Sequence, residues 1–274
     1  MKRIGVFDSG VGGLSVWREL TRQMPSINTL YLADQTHIPY GPQSPEVILG
    51  YSRAIVRFLQ GEGCTAIVIA CNTASAVALQ SLRAENPQLL FVGMEPAIKP
   101  AVEMSRSGTI AVLATATTLE GQLFSNTWRK HATGVRVIRQ PCPGLVEQIE
   151  RGETNSPATL EMLRVFLEQP LLAGADTFVL ACTHYAFVRH PIQQLTGPST
   201  HVVDPAPAIA QRLQTLLQVE TLPPEGAPPG EHVFYSSGDT TTFDRVTSQL
   251  LEQPVQSSPL YWSASGDLQR GSNK

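Results

Sequence analysis

Lysine is nearly absent from this chain. Lys2, Lys99, Lys130 and Lys274 are the whole supply in 274 residues, against sixteen arginines. Chemistry through a Schiff-base lysine, as in pyridoxal phosphate enzymes, therefore has few candidates, two of them at the chain ends. Charged residues are also scarce, at 16% against 42% apolar, which argues against disorder and for a packed core. A net charge of -3 gives no basic field for nucleic acid or anionic membrane. No apolar run approaches the roughly 20 residues that span a bilayer. Residues 1–8 lack a signal-peptide core and run straight into a strand-like segment. These absences predict a cytoplasmic protein with no nucleic-acid or membrane partner. The four cysteines (Cys64, Cys71, Cys142, Cys182) form no C-x-x-C pair and are expected as free thiols. The glycine-rich stretch at residues 8–13 is neither G-x-G-x-x-G nor a Walker loop, which argues against a nucleotide site.

What is present is an alternation of short apolar runs and helix-like stretches. Residues 4–7, 29–33, 66–70 and 89–93 read as strands buried on both faces, and 109–113, 135–139, 177–181 and 201–203 read as strands. Helical spacing marks 14–23, 45–61, 75–85, 120–131, 158–169 and 206–218. This order predicts α/β layers with mainly parallel sheets. Residues 221–230, TLPPEGAPPG, read as a proline-rich loop, and a polar tail is expected from about Ser263.

The two halves resemble each other. Ala70-Cys71-Asn72-Thr73 parallels Ala181-Cys182-Thr183-His184, 111 positions later. Ile4 to Ser9 parallels Ile110 to Thr115, and Glu95-Pro96-Ala97 parallels Asp204-Pro205-Ala206, at offsets of 106 and 109. Three ordered matches at nearly one offset predict two pseudo-symmetric domains. Their boundaries are placed at 1–97 plus 206–274 and at 98–205. Each carries a polar cluster at the C-terminal ends of its strands, where open α/β sheets hold ligands, so the site belongs in the cleft between them.

Cysteine is usually a buried, inert residue. Two cysteines at repeat-equivalent strand ends, each followed by hydroxyl or amide side chains and beside helix N-termini that favour thiolate, read instead as functional. His184, two positions after Cys182, suits acid/base work on that thiol. Cysteine and histidine at this spacing, without a second pair, do not make a metal site. Asp8 reads either as a helix N-cap or as a carboxylate beside the site. Cys64 and Cys142 have no duplicate and read as structural. Glu150 reads most simply as an exposed helix residue, and Tyr40-Gly41 and the Thr115 loop as ordinary turns.

Taken together, Phe7-Asp8-Ser9-Gly10-Val11-Gly12-Gly13, Pro39-Tyr40-Gly41, Ala70-Cys71-Asn72-Thr73-Ala74, Glu95-Pro96-Ala97 and Cys182-Thr183-His184-Tyr185 resemble the glutamate racemases of the cofactor-independent aspartate/glutamate racemase family. The resemblance spans the chain to about residue 205. It implies an isomerase that interconverts L- and D-glutamate without cofactor or metal, supplying D-glutamate for peptidoglycan. It implies catalytic roles for Cys71 and Cys182, with Cys71 acting on D-glutamate and Cys182 on L-glutamate, assisted by Asp8, His184 and Glu150. It implies substrate contacts at Asp8, Ser9, Tyr40, Gly41, Asn72, Thr73, Thr115, Thr118, Thr183 and His184, and it is compatible with a homodimer. The chain departs from the family's pattern at Ala33-Asp34-Gln35-Thr36-His37, at Ala114-Thr115-Ala116 and at Asp204-Pro205-Ala206-Pro207. Aspartate racemisation, and a non-catalytic regulatory protein on the same fold, remain the alternatives.

Overall fold

A computed structural model describes residues 3–218 and 228–271. Its strands are β1 (Arg3–Asp8), β2 (Asn28–Ala33), β3 (Cys64–Ile69), β4 (Leu90–Gly93), β5 (Thr109–Ala114), β6 (Arg136–Pro141), β7 (Thr177–Leu180), β8 (His201–Val203), β9 (His232–Ser236), β10 (Ser257–Trp262) and β11 (Leu268–Arg270). They form a seven-stranded sheet, β11-β10-β9-β2-β1-β3-β4, and a four-stranded sheet, β6-β5-β7-β8. Every pairing is parallel except β10 with β11.

The order β6-β5-β7-β8 repeats β2-β1-β3-β4 strand for strand. The backbone bonds repeat as well. Ala70 N donates to Phe7 O at 2.8 Å, and Ala181 N donates to Leu113 O at 2.9 Å. Asp34 N donates to Asp8 O, and Cys142 N to Ala114 O. The internal similarity of the sequence is thus a repeat of the fold.

The continuous apolar strands are buried on both faces because helices cover each sheet. Side chains alternate between cores at the pleat period. Ile4, Val6, Tyr31 and Val68 face a cluster that runs on into Leu113, Phe178 and Leu180 of the other sheet. Phe7, Leu30, Leu32 and Ile69 face the opposite side. Ile110, Val112 and Val179 form a third cluster against the outer helices of the smaller sheet.

Several helices begin at polar caps that satisfy their first amides. Ser44 accepts from Val47 N, Ser156 from Thr159 N and Asp239 from Thr242 N. The helix expected at 75–85 begins earlier, at Asn72–Glu85, because Cys71 itself is its cap. The helix expected at 120–131 is two, Ala116–Glu120 and Gln122–His131, divided at Gly121. The polar tail expected from Ser263 is a correction. Leu268–Arg270 pairs antiparallel with β10 and buries Leu268. The proline-rich stretch lies, through residue 227, outside the described residues.

Candidate active site

Asp8 ends β1 and is fully buried. It does not cap the following helix, Leu14–Gln23, which starts at Gly13 without a side-chain cap. Instead Oδ1 accepts from Gly10 N at 2.8 Å and Oδ2 accepts from Thr183 Oγ1 at 3.1 Å. The second bond joins the two sheets' loops. Burial pushes the Asp8 carboxyl up, against the stabilising influence of His184 and the Gly10 amide. Ser9 is buried beside it. The turn needs glycine because neighbours occupy the space of a side chain. A Cβ at Gly12 would overlap the His184 ring.

Cys71 follows β3 and caps the next helix, its Sγ accepting from Ala74 N at 3.4 Å. Burial, and then the Asp8 carboxylate, push the Cys71 thiol up; the Ala74 and Thr73 amides oppose this. Cys182 adds to the same upward shift. Asn72 is buried, and neither its Oδ1 nor its Nδ2 has a hydrogen-bond partner among the described residues. A buried amide left unpaired costs about 1–3 kcal/mol, so these two polar atoms are open to a polar partner. The Thr73 hydroxyl lies 3.2 Å from those of both Thr115 and Thr118, and Thr115 donates to Thr118 at 2.9 Å. This cluster ties the Cys71 loop to the loop after β5.

Cys182 follows β7 at the position equivalent to Cys71. Its Sγ lies 3.8 Å from His184 Nδ1. His184 Nε2 lies 2.5 Å from Glu150 Oε1. A carboxylate only accepts, so Nε2 carries a proton and Nδ1 faces the thiol. Burial alone would push the His184 imidazolium down; its bonds to Cys182 and Glu150 outweigh that and hold it well above the usual histidine range. The imidazole can therefore exchange a proton with the Cys182 thiol.

Glu150 is a correction to the sequence expectation. It ends the helix Leu145–Glu150, but its side chain is only 13% exposed and turns inward. Oε1 also accepts from Val11 N at 2.8 Å, and Oε2 accepts from Gln35 Nε2 at 2.7 Å. Tyr40 and Gly41 are tied down rather than loose. The Tyr40 hydroxyl donates to Asp34 Oδ2 at 2.7 Å, and Thr117 Oγ1 donates to Gly41 O. The Tyr40 hydroxyl is thus held inside the larger domain's core. Gly41 and Thr115 face each other across a largely apolar cleft of about 460 Å³ that Cys142 also lines.

Asp34 and Gln35 went unassigned in the sequence. Asp34 is fully buried and accepts from Tyr40, His37, Ser237 and the Trp262 indole. The only available signal was the departure from the family's pattern at Ala33-Asp34-Gln35. Cys64 sits at the start of β3, away from these loops, where burial pushes its thiol up to about 12.

The chain is similar to known proteins along most of its length. The family model for Asp/Glu/Hydantoin racemase matches residues 4–213. Glutamate racemase of Ectopseudomonas mendocina (strain ymp) is 45% identical over 254 residues, covering 92% of this chain and 96% of the relative. The crystal structure of glutamate racemase isoform RacE1 from Bacillus anthracis superposes with a TM-score of 0.85 at 28% identity, over 94% of this chain and 97% of that one. Escherichia coli glutamate racemase, in complex with L-glutamate and the activator UDP-MurNAc-ala, gives 0.82 at 29% identity over 94% and 97%. With its two strand-end thiols, its duplicated sheets and a match over most of its length, the chain belongs to the Asp/Glu/Hydantoin racemase family.

Proposed function

We propose that this chain is a glutamate racemase. It interconverts L- and D-glutamate by two-base proton transfer at the α-carbon and needs no cofactor. The observation that carries this reading is the pair of buried thiols, Cys71 and Cys182, at equivalent strand ends of two repeated sheets. The substrate identity is supported by the 45% identical relative and by the E. coli structure that holds L-glutamate. The sheets support domains at 1–97 plus 206–274 and at 98–205. The larger sheet is built from strands on both sides of the second domain in sequence, and the helix Ala206–Leu217 packs against Leu14–Gln23.

Racemisation takes a proton from one face of the α-carbon and returns one on the other. Cys71 serves the face approached from the first domain and Cys182 the face approached from the second. One is thiolate while the other is thiol, and they exchange roles with direction. Burial makes Cys71 a poor acid, and its two backbone amide contacts offset part of that cost when it ionises. His184 holds a proton for Cys182, and Asp8 lies near enough to Cys71 to influence its charge. The Asn72 amide and the hydroxyls of Thr73, Thr115, Thr118 and Thr183 bind the substrate's ammonium and carboxylate groups. They stabilise the carbanion-like state at the point where charge develops. Ser9, and the Tyr40-Gly41 backbone, complete the binding surface.

No helix among the described residues is long and apolar enough to cross a membrane. A cytoplasmic enzyme that supplies D-glutamate to peptidoglycan synthesis, acting alone or as a homodimer, fits this reading. The test is circular dichroism of L-glutamate incubated with the pure enzyme and no added cofactor. Decay of the signal to zero supports the assignment. A constant signal with glutamate, or decay only with aspartate, overturns it.

A further inference from the structure

Among the described residues, Gln35 is the one side chain other than His184 that donates to the Glu150 carboxylate. Its environment fixes its aim. It begins the short turn Gln35–His37 beneath the loop after β9. A Cβ at Gly238 would stand 2.6 Å from Gln35 Cβ, so the loop presses directly on the side chain's base. Next to it, Thr36 N donates to Ser237 Oγ at 3.0 Å, and the Ser237 hydroxyl donates to Asp34 at 2.8 Å. The glutamine is therefore clamped at its root by the C-terminal part of the chain. Its amide nitrogen reaches Glu150 Oε2, in the other sheet's half of the molecule.

Glu150 closes a helix of only six residues, and its carboxylate is free to turn about χ3 unless both oxygens are occupied. Val11 N and His184 Nε2 share Oε1. Without a donor on Oε2, the group can rotate, admit water and lose its alignment on His184. We infer that Gln35 is a positioning residue: its amide locks the Glu150 carboxylate so that Oε1 stays on His184 Nε2, which in turn keeps Nδ1 on the Cys182 thiol. The same bond is a clasp between the two domains, since Glu150 lies in one and Gln35 in the other. The turnover consequence rests on the racemase reading above; the effect on His184 does not.

The test compares the wild-type chain with Gln35→Met, which keeps the volume and removes the donor, and with Gly238→Ala, which displaces the glutamine from behind. Two measurements are made. The first is glutamate turnover in both directions. Both variants are expected to lower kcat about tenfold, the loss given by one misplaced charge-assisted hydrogen bond, with KM changed less than twofold. The second is NMR of the His184 imidazole in ligand-free protein. The wild-type Nε2 proton is expected to resist exchange with water, and in both variants it is expected to exchange and move upfield while the melting temperature stays within a few degrees. A Gln35→Met protein with wild-type kcat and a protected Nε2 proton overturns the inference, because side-chain volume alone then suffices. If the wild-type enzyme does not turn over glutamate, the functional reading fails, and the NMR comparison still decides the role of Gln35.

Discussion

His184 and Glu150, 34 positions apart in the chain, meet at 2.5 Å between Nε2 and Oε1. The contact is almost wholly out of water, with side-chain exposures of 3% and 13%. A pair at such a site is costly to break, because one charge would then be left without its partner. Its second consequence is directional. With Nε2 committed to the carboxylate, only Nδ1 remains for the Cys182 thiol.

This pair gives the protein a pH signature. The folded-state value of His184 is held well above the 6.5 of a free imidazole. Above 6.5 the native state therefore binds more protons here than the unfolded state, so stability falls as pH rises. The contribution is complete below the unfolded value and is lost as pH climbs through the folded one. Between about pH 7 and 8.5, below the range where buried thiols add their own loss, the wild-type melting temperature is expected to fall. His184→Gln removes this proton and is expected to flatten the curve over that window. Equal slopes in thermal melts of the two proteins would contradict the assignment.

Gly12 tests the packing on the other side of the ring. A methyl there overlaps the imidazole, and the ring is confined by Glu150 at its far nitrogen. The Gly12→Ala chain is expected to lose about 1–3 kcal/mol of stability, as overpacked sites do. Its kcat should fall about a hundredfold, because an ångström of displacement separates Nδ1 from the thiol. Thermal melts and steady-state rates check the two effects separately. A stable, fully active Gly12→Ala enzyme would show that the ring position is not critical.

Much of this is legible in the sequence. The strands β1 to β5, β7 and β8 are short and apolar, helical spacing separates most of them, and the duplicated motifs carry nearly one offset. The C-terminal strands are not. β10, SSPLYW, contains a proline and exposes Ser258, Pro259 and Tyr261, so neither a period of two nor an apolar run marks it. Its place depends on pairing with β9, and β9 pairs with β2 some 200 positions earlier. Glu150 failed for a related reason. Its helix spacing is that of an exposed residue, and what buries it are Val11, Gln35 and His184, brought together only by the packing of two domains. Asp34 likewise collects donors from residues as distant as Trp262. Local pattern identifies elements; it does not say which loops meet.

Cys71→Ala and Cys182→Ala are each expected to abolish racemisation in both directions, to below about a thousandth of the wild-type rate. In the proposed two-base reaction every turnover requires one group to take a proton and another to give one, so neither thiol can be spared. Serine is expected to be nearly as damaging, since a hydroxyl is a far weaker acid than a thiol. Both alanine variants should fold, because each removes one small buried atom group rather than a packed side chain. Rates followed polarimetrically from L- and from D-glutamate provide the check. One single variant with near wild-type rates returns that cysteine to a structural role.

The same two thiols predict where solvent hydrogen goes. In D2O each thiol exchanges its proton with solvent between turnovers. A substrate molecule that enters loses its α-proton to one thiol and receives deuterium from the other, on the opposite face. At early times, product is expected to be fully deuterated at the α-carbon, and recovered substrate to carry much less. The face it presents is served by the thiol that has just taken its own proton, and that thiol returns the proton when the reaction reverses. A single base would carry one proton across and deliver product that keeps substrate hydrogen. Mass spectrometry of the separated enantiomers, at under about a tenth of full conversion, distinguishes the two. Substantial substrate hydrogen in the product would leave only one of Cys71 and Cys182 in the reaction, and the repeat that places them at equivalent strand ends would then be a record of the fold's duplication alone.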